Sequence, residues 1–117
     1  MKKIWLEEPE AHDFPAAADY LTLLFKEEDV KRLVKNLEES PTKYKKAKDI
    51  LRASDLPLLA KANIHVKANL AKVKKGKKMS PILLVRNLPH LIIADGYHRI
   101  CAIYYLSEDE EVPCRLV

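Results

Sequence analysis

The sequence predicts a single α+β domain over residues 1–117, and three observations support this fold class. The length of 117 residues suits one domain with a single hydrophobic core. Apolar residues recur at helical spacing in the N-terminal third of the chain. Two short apolar runs, SPILLVR and HLIIAD, follow each other in the C-terminal half and are typical of buried strands. We therefore expect a small mixed sheet with packed helices, preceded by a helical N-terminal part at residues 1–60.

Two helices are predicted near the start of the chain. The first covers residues 14–25. Asp13 or Phe14 stands at its cap, and Pro15 lies in its first turn, where proline is favoured. The second covers residues 27–40 and has one apolar stripe with the spacing i, i+3, i+4 and i+7. The stripe comprises Val30, Leu33, Val34 and Leu37.

A short helix and a longer one are predicted before the strands. Asp49 caps the short helix, which runs through Ala53 and ends before Pro57. The longer helix, residues 64–78, has the sequence IHVKANLAKVKKGKK. Its apolar side is formed by Val66, Leu70 and Val73. Gly76 follows the periodic residues, which is the usual place of a C-terminal cap.

The C-terminal half, residues 61–117, is predicted to have the order helix, strand, strand, helix, strand. After the helix come a strand at 80–86, a turn at 87–89, a strand at 90–94, a helix at 97–106 and a strand at 112–117. The helix at 97–106 is apolar on nearly every face, so we expect it to be deeply packed. Pro113 lies near the start of the last strand and indicates an edge position in the sheet.

The composition of the chain limits where in the cell the protein is expected. No apolar run is long enough to cross a membrane, and the N-terminus MKKIWLEEPE contains no apolar signal-peptide core. We therefore expect a cytoplasmic protein that does not contact membranes. The two cysteines, Cys101 and Cys114, lack the spacing of a zinc site and are predicted to be small buried hydrophobic residues rather than a redox pair.

Charge is distributed unevenly along the chain. The net charge is +4, but residues 41–78 alone contain 12 basic residues and 2 acidic ones. One interpretation is a nucleic-acid interface formed by Lys43–Lys48 and Lys72–Lys78. The other is a solvated surface, which is favoured because lysine dominates and arginine, the residue suited to reading bases, is nearly absent.

The motif IIADGYHRICA joins the second predicted strand to the following helix. Gly96 allows a sharp turn and a close approach of a ligand to the main chain. The free amides that begin the helix, near Tyr97 and His98, suit a phosphate, and Arg99 adds a planar cationic donor. Asp95 is placed to cap the helix or to hold a divalent ion. A purely structural interpretation also stays open, in which the histidine and arginine only cap the helix or pair with the aspartate.

The stretch from residue 61 to 117 resembles the ParB/sulfiredoxin-like superfamily. Ser80-Pro81 and Val85-Arg86 match the superfamily's QPI-V-R strand, Gly96-Tyr97-His98-Arg99 matches its G-x-x-R turn, and VPCRLV matches its closing strand. The resemblance implies a nucleotide ligand, ATP, CTP or ADP with Mg²⁺. It implies that the four residues of the turn bind this cofactor, that Asp95 and His98 are catalytic, and that Asp95 holds the metal.

The sequence departs from each known branch of that superfamily. Tyr97 stands where the sulfiredoxin branch has its catalytic cysteine, so reduction of sulfinic acids is excluded by that route. The motif D-G-Y-H-R at residues 95–99 is most similar to the D-G-H-H-R motif of a branch of free-serine kinases. Whether this chain is a phosphotransferase, a nucleotide hydrolase or only a binding protein is left open by the sequence.

Two other function classes remain as alternatives to nucleotide binding. One is a nucleic-acid-binding or nuclease-like protein that uses the lysines of the middle third. The other is a non-catalytic interaction module, in which Trp5 and its acidic neighbours form a partner or self-association surface. Self-association therefore stays open, although a tryptophan near a terminus more often covers a core than binds a partner.

Overall fold

A computed structural model describes residues 3–117 and shows a four-stranded mixed sheet between two layers of helices. In chain order the elements are α1 (Asp13–Leu21), α2 (Glu27–Glu39), β1 (Lys43–Lys46), α3 (Ala47–Ser54), α4 (Ile64–Lys74), β2 (Ile82–Val85), β3 (Ile92–Asp95), α5 (Tyr97–Leu106) and β4 (Glu111–Leu116). The α+β class and the mixed sheet that the sequence predicts are confirmed.

The strands are arranged in the order β1-β4-β2-β3. β4 lies inside the sheet, where it pairs parallel with β2 and antiparallel with β1. β3 pairs antiparallel with β2, and the register shifts between Leu83 and Leu84. Because β2 has a strand on either side and helices on both faces, all four of its residues are buried, which explains its continuous apolar run.

Alternate residues of the sheet contact different layers of helices. Leu83 and Val85 pack against α1 and α2, whereas Ile82 and Leu84 pack against α3 and α5. The first cluster also contains Ala17, Leu21, Val30, Leu37, Ile92 and Ala94. The second also contains Trp5, Ala47, Ile50, Leu51, Met79, Ile93, Ile100, Ile103, Val112 and Cys114. α4 adds an outer layer, because its Val66 packs on Cys101 and Ala102 of α5.

Several expectations from the sequence are confirmed in detail. α2 and α5 lie where their apolar patterns place them. Gly76 ends α4 with a φ of +78°, and the Lys77 amide donates to the Lys72 carbonyl at 2.9 Å. Cys101 and Cys114 are both free and buried, and burial raises the pKa of Cys114 to about 11. No helix in residues 3–117 is long and apolar enough to cross a bilayer.

Five expectations need correction. The short helix α3 begins at Ala47 with Lys46 at its cap, so Asp49 lies in its first turn and does not cap it. The N-terminal part is not wholly helical, because Lys43–Lys46 forms β1 and pairs with β4. That pairing makes β4 an internal strand, so the edge position inferred from Pro113 is wrong. β1 has no apolar alternation, and only tertiary pairing with β4 makes it a strand. The first helix ends at Leu21 instead of 25, and His12 rather than Asp13 or Phe14 is at its cap.

A buried arginine fixes the C-terminal end of α2 to β4. Arg115 is 8 % exposed, and no carboxylate pairs with it anywhere in residues 3–117. Its Nη1 donates to the carbonyls of Leu37 and Glu38 at 3.1 and 2.9 Å, and its Nε donates to Thr42 Oγ1 at 3.1 Å. These carbonyls carry the negative end of the helix dipole, so they stabilise the guanidinium charge.

Arg115→Ala is expected to lower the free energy of unfolding by about 2–4 kcal/mol, because it removes three hydrogen bonds of a buried guanidinium and leaves a cavity beside α2. Urea denaturation measures the change. Arg52→Ala is the control, since Arg52 is 84 % exposed and pairs only with Asp49 at 3.2 Å. That variant should change the free energy by less than about 0.5 kcal/mol. Equal effects of the two substitutions would show that the buried hydrogen bonds add no special stability.

Candidate functional site

The site that the sequence predicts begins with a left-handed turn between β3 and α5. Gly96 has a φ of +110°, a conformation that side chains disfavour. A Cβ atom at this position would lie 2.5 Å from Ile82 Cδ1 and 3.0 Å from Arg99 Nη2. Ile82 is fully buried in the internal strand β2, so its side chain would have to shift within a close-packed core. The turn therefore requires glycine for both its backbone angle and its packing.

Arg99 ties this turn to the neighbouring strand. Its Nη2 donates to Asp95 Oδ2 at 3.1 Å and to the Pro81 carbonyl at 3.2 Å. The side chains of Asp95 and Arg99 are each 17 % exposed. Burial raises the pKa of Asp95, and the Arg99 guanidinium opposes that rise. Asp95 thus pairs with Arg99, as the structural interpretation of the motif expects, and it does not cap α5.

The N-terminal end of α5 has no side-chain cap. The Ile100 amide donates to the Gly96 carbonyl at 3.0 Å, which begins the ladder of helical hydrogen bonds. No protein acceptor is found within residues 3–117 for the preceding amides, those of Tyr97, His98 and Arg99. Such amides carry partial positive charge and bind anions. The helix start that the sequence predicts to be free is therefore free of protein side chains.

A small cleft of about 210 Å³ lies between this helix start and α4. It is lined by Asp95, Gly96, His98 and Arg99 from the turn and by His65, Ala68, Asn69 and Lys72 from α4. The structure thus brings together four of the five predicted site residues. Tyr97 is the exception, because its hydroxyl donates to the Pro57 carbonyl and its ring packs into the core. Only its main chain belongs to the helix start.

Residues of α4 are the part of the site that the sequence analysis missed. His65, Asn69 and Lys72 have the spacing i, i+4 and i+7, so they share one face of the helix. That polar stripe is a usable signal, but the sequence does not reveal which element it faces. Packing of α4 on α5 directs the stripe toward the turn at Gly96.

Two histidines meet in the cleft. The ring centroids of His65 and His98 are 4.8 Å apart, and the planes are tilted by 56°. Burial is the main cause of the lowered pKa of His98. The nearby charges of His65 and Arg99 lower this pKa further. His98 is therefore predominantly neutral at pH 7, and one of its ring nitrogens is free to accept a proton or a hydrogen bond.

The cleft suits an anion better than a divalent cation. Among residues 3–117, Asp95 is the one carboxylate that lines it, and Arg99 already donates a hydrogen bond to one of the two carboxylate oxygens. In residues 3–117 no three His, Cys, Asp or Glu side chains form a group that could hold a metal ion. Oxygen-rich coordination is what Mg²⁺ requires, and the protein supplies little of it here. Metal binding at Asp95 stays a prediction.

The two lysine clusters have different surroundings. All four residues of β1 are exposed, and β1 is an edge strand of the sheet. Lysines on an edge strand prevent pairing with strands of other chains. This role explains why Lys43, Lys45 and Lys46 are lysines, and no ligand is needed to explain them. Lys48 forms an ion pair with Asp109 at 2.7 Å. In the second cluster, Lys72 lines the cleft.

Comparison of the chain with protein-family models, with curated proteins and with solved structures gave no match.

Gly96→Ala is expected to lower the free energy of unfolding by about 2–4 kcal/mol, because it adds overlap with Ile82 to the strain of a positive φ. Gly76→Ala is the matched control, since its φ is +78° and no atom lies within 4 Å of the added Cβ. The control should lose about 1 kcal/mol from backbone strain alone. Urea denaturation of both variants separates the two contributions, and equal losses would contradict the packing argument.

The His98 ring should titrate below its ordinary pKa of 6.5. In an NMR titration, His65→Gln is expected to raise the His98 midpoint, because one of the causes of the lowered pKa is removed. His90→Gln, next to Asp55, should leave that midpoint unchanged. A wild-type midpoint at or above 6.5 would contradict the description of the cleft.

The same titration has a consequence for stability. Below pH 6.5 the unfolded chain takes up a proton at His98 before the folded chain does. The free energy of unfolding therefore falls as the pH drops through 6.5 toward the folded-state pKa. His98→Asn should remove this part of the pH dependence in denaturation curves recorded between pH 7.5 and about 5.5.

Proposed function

We propose that this chain is a phosphate-binding domain of the ParB/sulfiredoxin-like kind, which holds the phosphate groups of a nucleotide in the cleft between α4 and α5. The observation that carries the proposal is the uncapped start of α5, which opens beside Lys72 and Arg99. Amides at a helix start together with cationic side chains form the usual protein environment of a bound phosphate.

The charges around the cleft support an anionic ligand. Lys72 and Arg99 are positive, and the helix start adds partial positive charge. Asp95 is the single negative group that lines the cleft within the described residues 3–117, and its pairing with Arg99 neutralises it in part. His65 and His98 add hydrogen-bonding nitrogens when they are neutral. The local balance therefore favours negative charge on the ligand.

The size of the cleft indicates which part of the nucleotide is recognised. Pockets that enclose a whole drug-sized ligand measure roughly 300–1,000 Å³. The cleft of about 210 Å³ is smaller and has room for phosphate groups, so the sugar and base lie outside it. We therefore expect ATP, ADP and CTP to bind with similar affinities, because the base contributes few contacts.

The resemblance described above is the second line of support. The elements α4, β2, β3, α5 and β4 follow in the order that the resemblance implies. For phosphoryl transfer or hydrolysis, His98 is the residue of the cleft suited to accept a proton from the attacking group. Asp95 and His98 are accordingly proposed as the catalytic pair, with Mg²⁺ bound to the ligand phosphates. Any such ion would be held mainly by those phosphates.

The nucleic-acid hypothesis has less specific support. Its first lysine cluster is accounted for by the edge position of β1 and by the ion pair of Lys48. Its second cluster contributes Lys72 to the cleft, where a phosphate ligand already explains it. We therefore argue for a small phosphate ligand at the α4–α5 cleft, in the cytoplasmic setting that the sequence predicts.

ATP, ADP or CTP at 100 times its Kd should stabilise the protein by about 2.7 kcal/mol, which raises the melting temperature by several degrees. Lys72→Ala should weaken binding about tenfold or more, because a charge-assisted hydrogen bond to phosphate is lost. Thermal shift identifies the ligand, and isothermal titration calorimetry gives the Kd with and without Mg²⁺.

Lys67→Ala is the matched control for that experiment. Lys67 is an exposed lysine on the same helix, but it does not line the cleft. Its removal changes the net charge by the same amount and should alter the Kd less than about twofold at 0.15 M salt. No thermal shift with any of the three nucleotides, or equal effects of the two lysine variants, would count against a phosphate site in the cleft.

A further inference from the structure

Two histidine rings meet across the α4–α5 cleft. His65 lies in the first turn of α4 and His98 in the first turn of α5, and their ring centroids are 4.8 Å apart. Within residues 3–117, neither ring forms a hydrogen bond or an ion pair with another protein group. Both residues line the cleft, so their ring nitrogens are free to interact with a ligand there.

The groups around this pair favour its neutral form. Lys72 and Arg99 line the same cleft, and both are cationic. Burial lowers the pKa of His98 most, and the charges of His65 and Arg99 lower it further. The Tyr97 ring, whose centroid is 5.7 Å from that of His98, is uncharged, because burial raises the pKa of its hydroxyl. A proton on either histidine is therefore unfavourable beside the two cations.

The acidic group of the cleft does not offset this effect. Asp95 is paired with Arg99 at 3.1 Å. Burial raises the pKa of Asp95 most, Arg99 lowers it, and Asp13 and His12 at the start of α1 have smaller effects of opposite sign. Neither histidine of the pair is among the groups that change this pKa. The protonation of the pair is therefore governed by Lys72, Arg99 and a bound anion.

A bound phosphate changes the electrostatic balance at the pair. Its negative charge attracts a proton, and a protonated imidazole donates hydrogen bonds through both nitrogens, whereas a neutral one donates through only one. We propose that the cleft takes up one proton on the His65–His98 pair when it binds a phosphate group, so that phosphate affinity rises as the pH falls. A second proton is not taken up, because two imidazolium rings 4.8 Å apart repel each other.

This inference rests on the phosphate site proposed above and adds a pH-dependent control of that site. Protonation and phosphate binding strengthen each other by the same factor, because linkage is reciprocal. A rise of about one pH unit in the midpoint of the pair thus corresponds to about tenfold tighter binding to the protonated cleft. Since the His98 midpoint without ligand lies below 6.5, the gain between pH 7.5 and 6 amounts to about a threefold lower Kd.

The first measurement is an NMR titration of the whole chain with ADP and without divalent cations. The ring protons of all four histidines are followed from pH 5 to 8, with saturating ADP and without it. We expect ADP to raise the midpoint of at least one ring of the pair by about one pH unit. His12 and His90 do not line the cleft, so their midpoints should stay unchanged.

The second measurement is the Kd of ADP at pH 7.5 and at pH 6 by calorimetry. His65→Gln with His98→Asn removes both rings of the pair, and the ratio of the two Kd values should be about threefold larger in the wild type than in this variant. His12→Gln with His90→Gln is the matched control, because it removes two histidines that are 74 % and 52 % exposed outside the cleft. The control should keep the wild-type ratio. Protonation of ADP itself contributes equally to all three proteins.

Three results would overturn the proton uptake while leaving the phosphate site in place. They are ADP binding with unchanged midpoints of both rings, equal Kd ratios in the wild type and the cleft variant, and loss of the pH dependence in the control variant. Absence of ADP binding at every pH would instead overturn the phosphate site, and this inference with it. The NMR titration of the wild type decides the matter even where a variant does not fold.

Discussion

The left-handed turn at Gly96 is the constraint on which the candidate site depends. It turns the chain from β3 into α5 against the buried Ile82 side chain, which a Cβ atom at this position would overlap. The same turn places Arg99 one helical turn beyond Asp95, close enough to bridge that carboxylate and the Pro81 carbonyl. Strand, helix and neighbouring segment are thereby locked together, while the amides at the start of α5 remain without a side-chain cap.

The two concave surfaces of the molecule have opposite electrostatic character. The cleft between α4 and α5 combines Lys72, Arg99 and a helix start. Within residues 3–117, an open groove between the N-terminal segment, the end of α2 and the β1–β4 edge is lined by six glutamates. This separation reflects the uneven charge of the sequence, with acidic residues concentrated near the N-terminus and basic ones in the middle third. A net charge of +4 therefore conceals two concave surfaces of opposite charge.

Arg115 shows how one buried cation links the halves of the chain. It lies on an internal strand from the C-terminal half and donates to the last carbonyls of α2 from the N-terminal half. β1 makes a second connection, because it adds an N-terminal strand to a sheet built otherwise from residues after 81. The two halves that the sequence separates at residue 60 consequently share one sheet.

Local patterns in the sequence determined the fold class, most of the helices, the buried β2 run, the glycine turn and the C-terminal end of α4 at Gly76, because each depends on neighbours within a few residues. Tertiary structure decided the rest. β1 exists only through pairing with β4, and this pairing also overrides the edge signal of Pro113. His65 and Lys72 join the cleft only because α4 packs on α5, and the spacing of a helical stripe does not specify which element it faces.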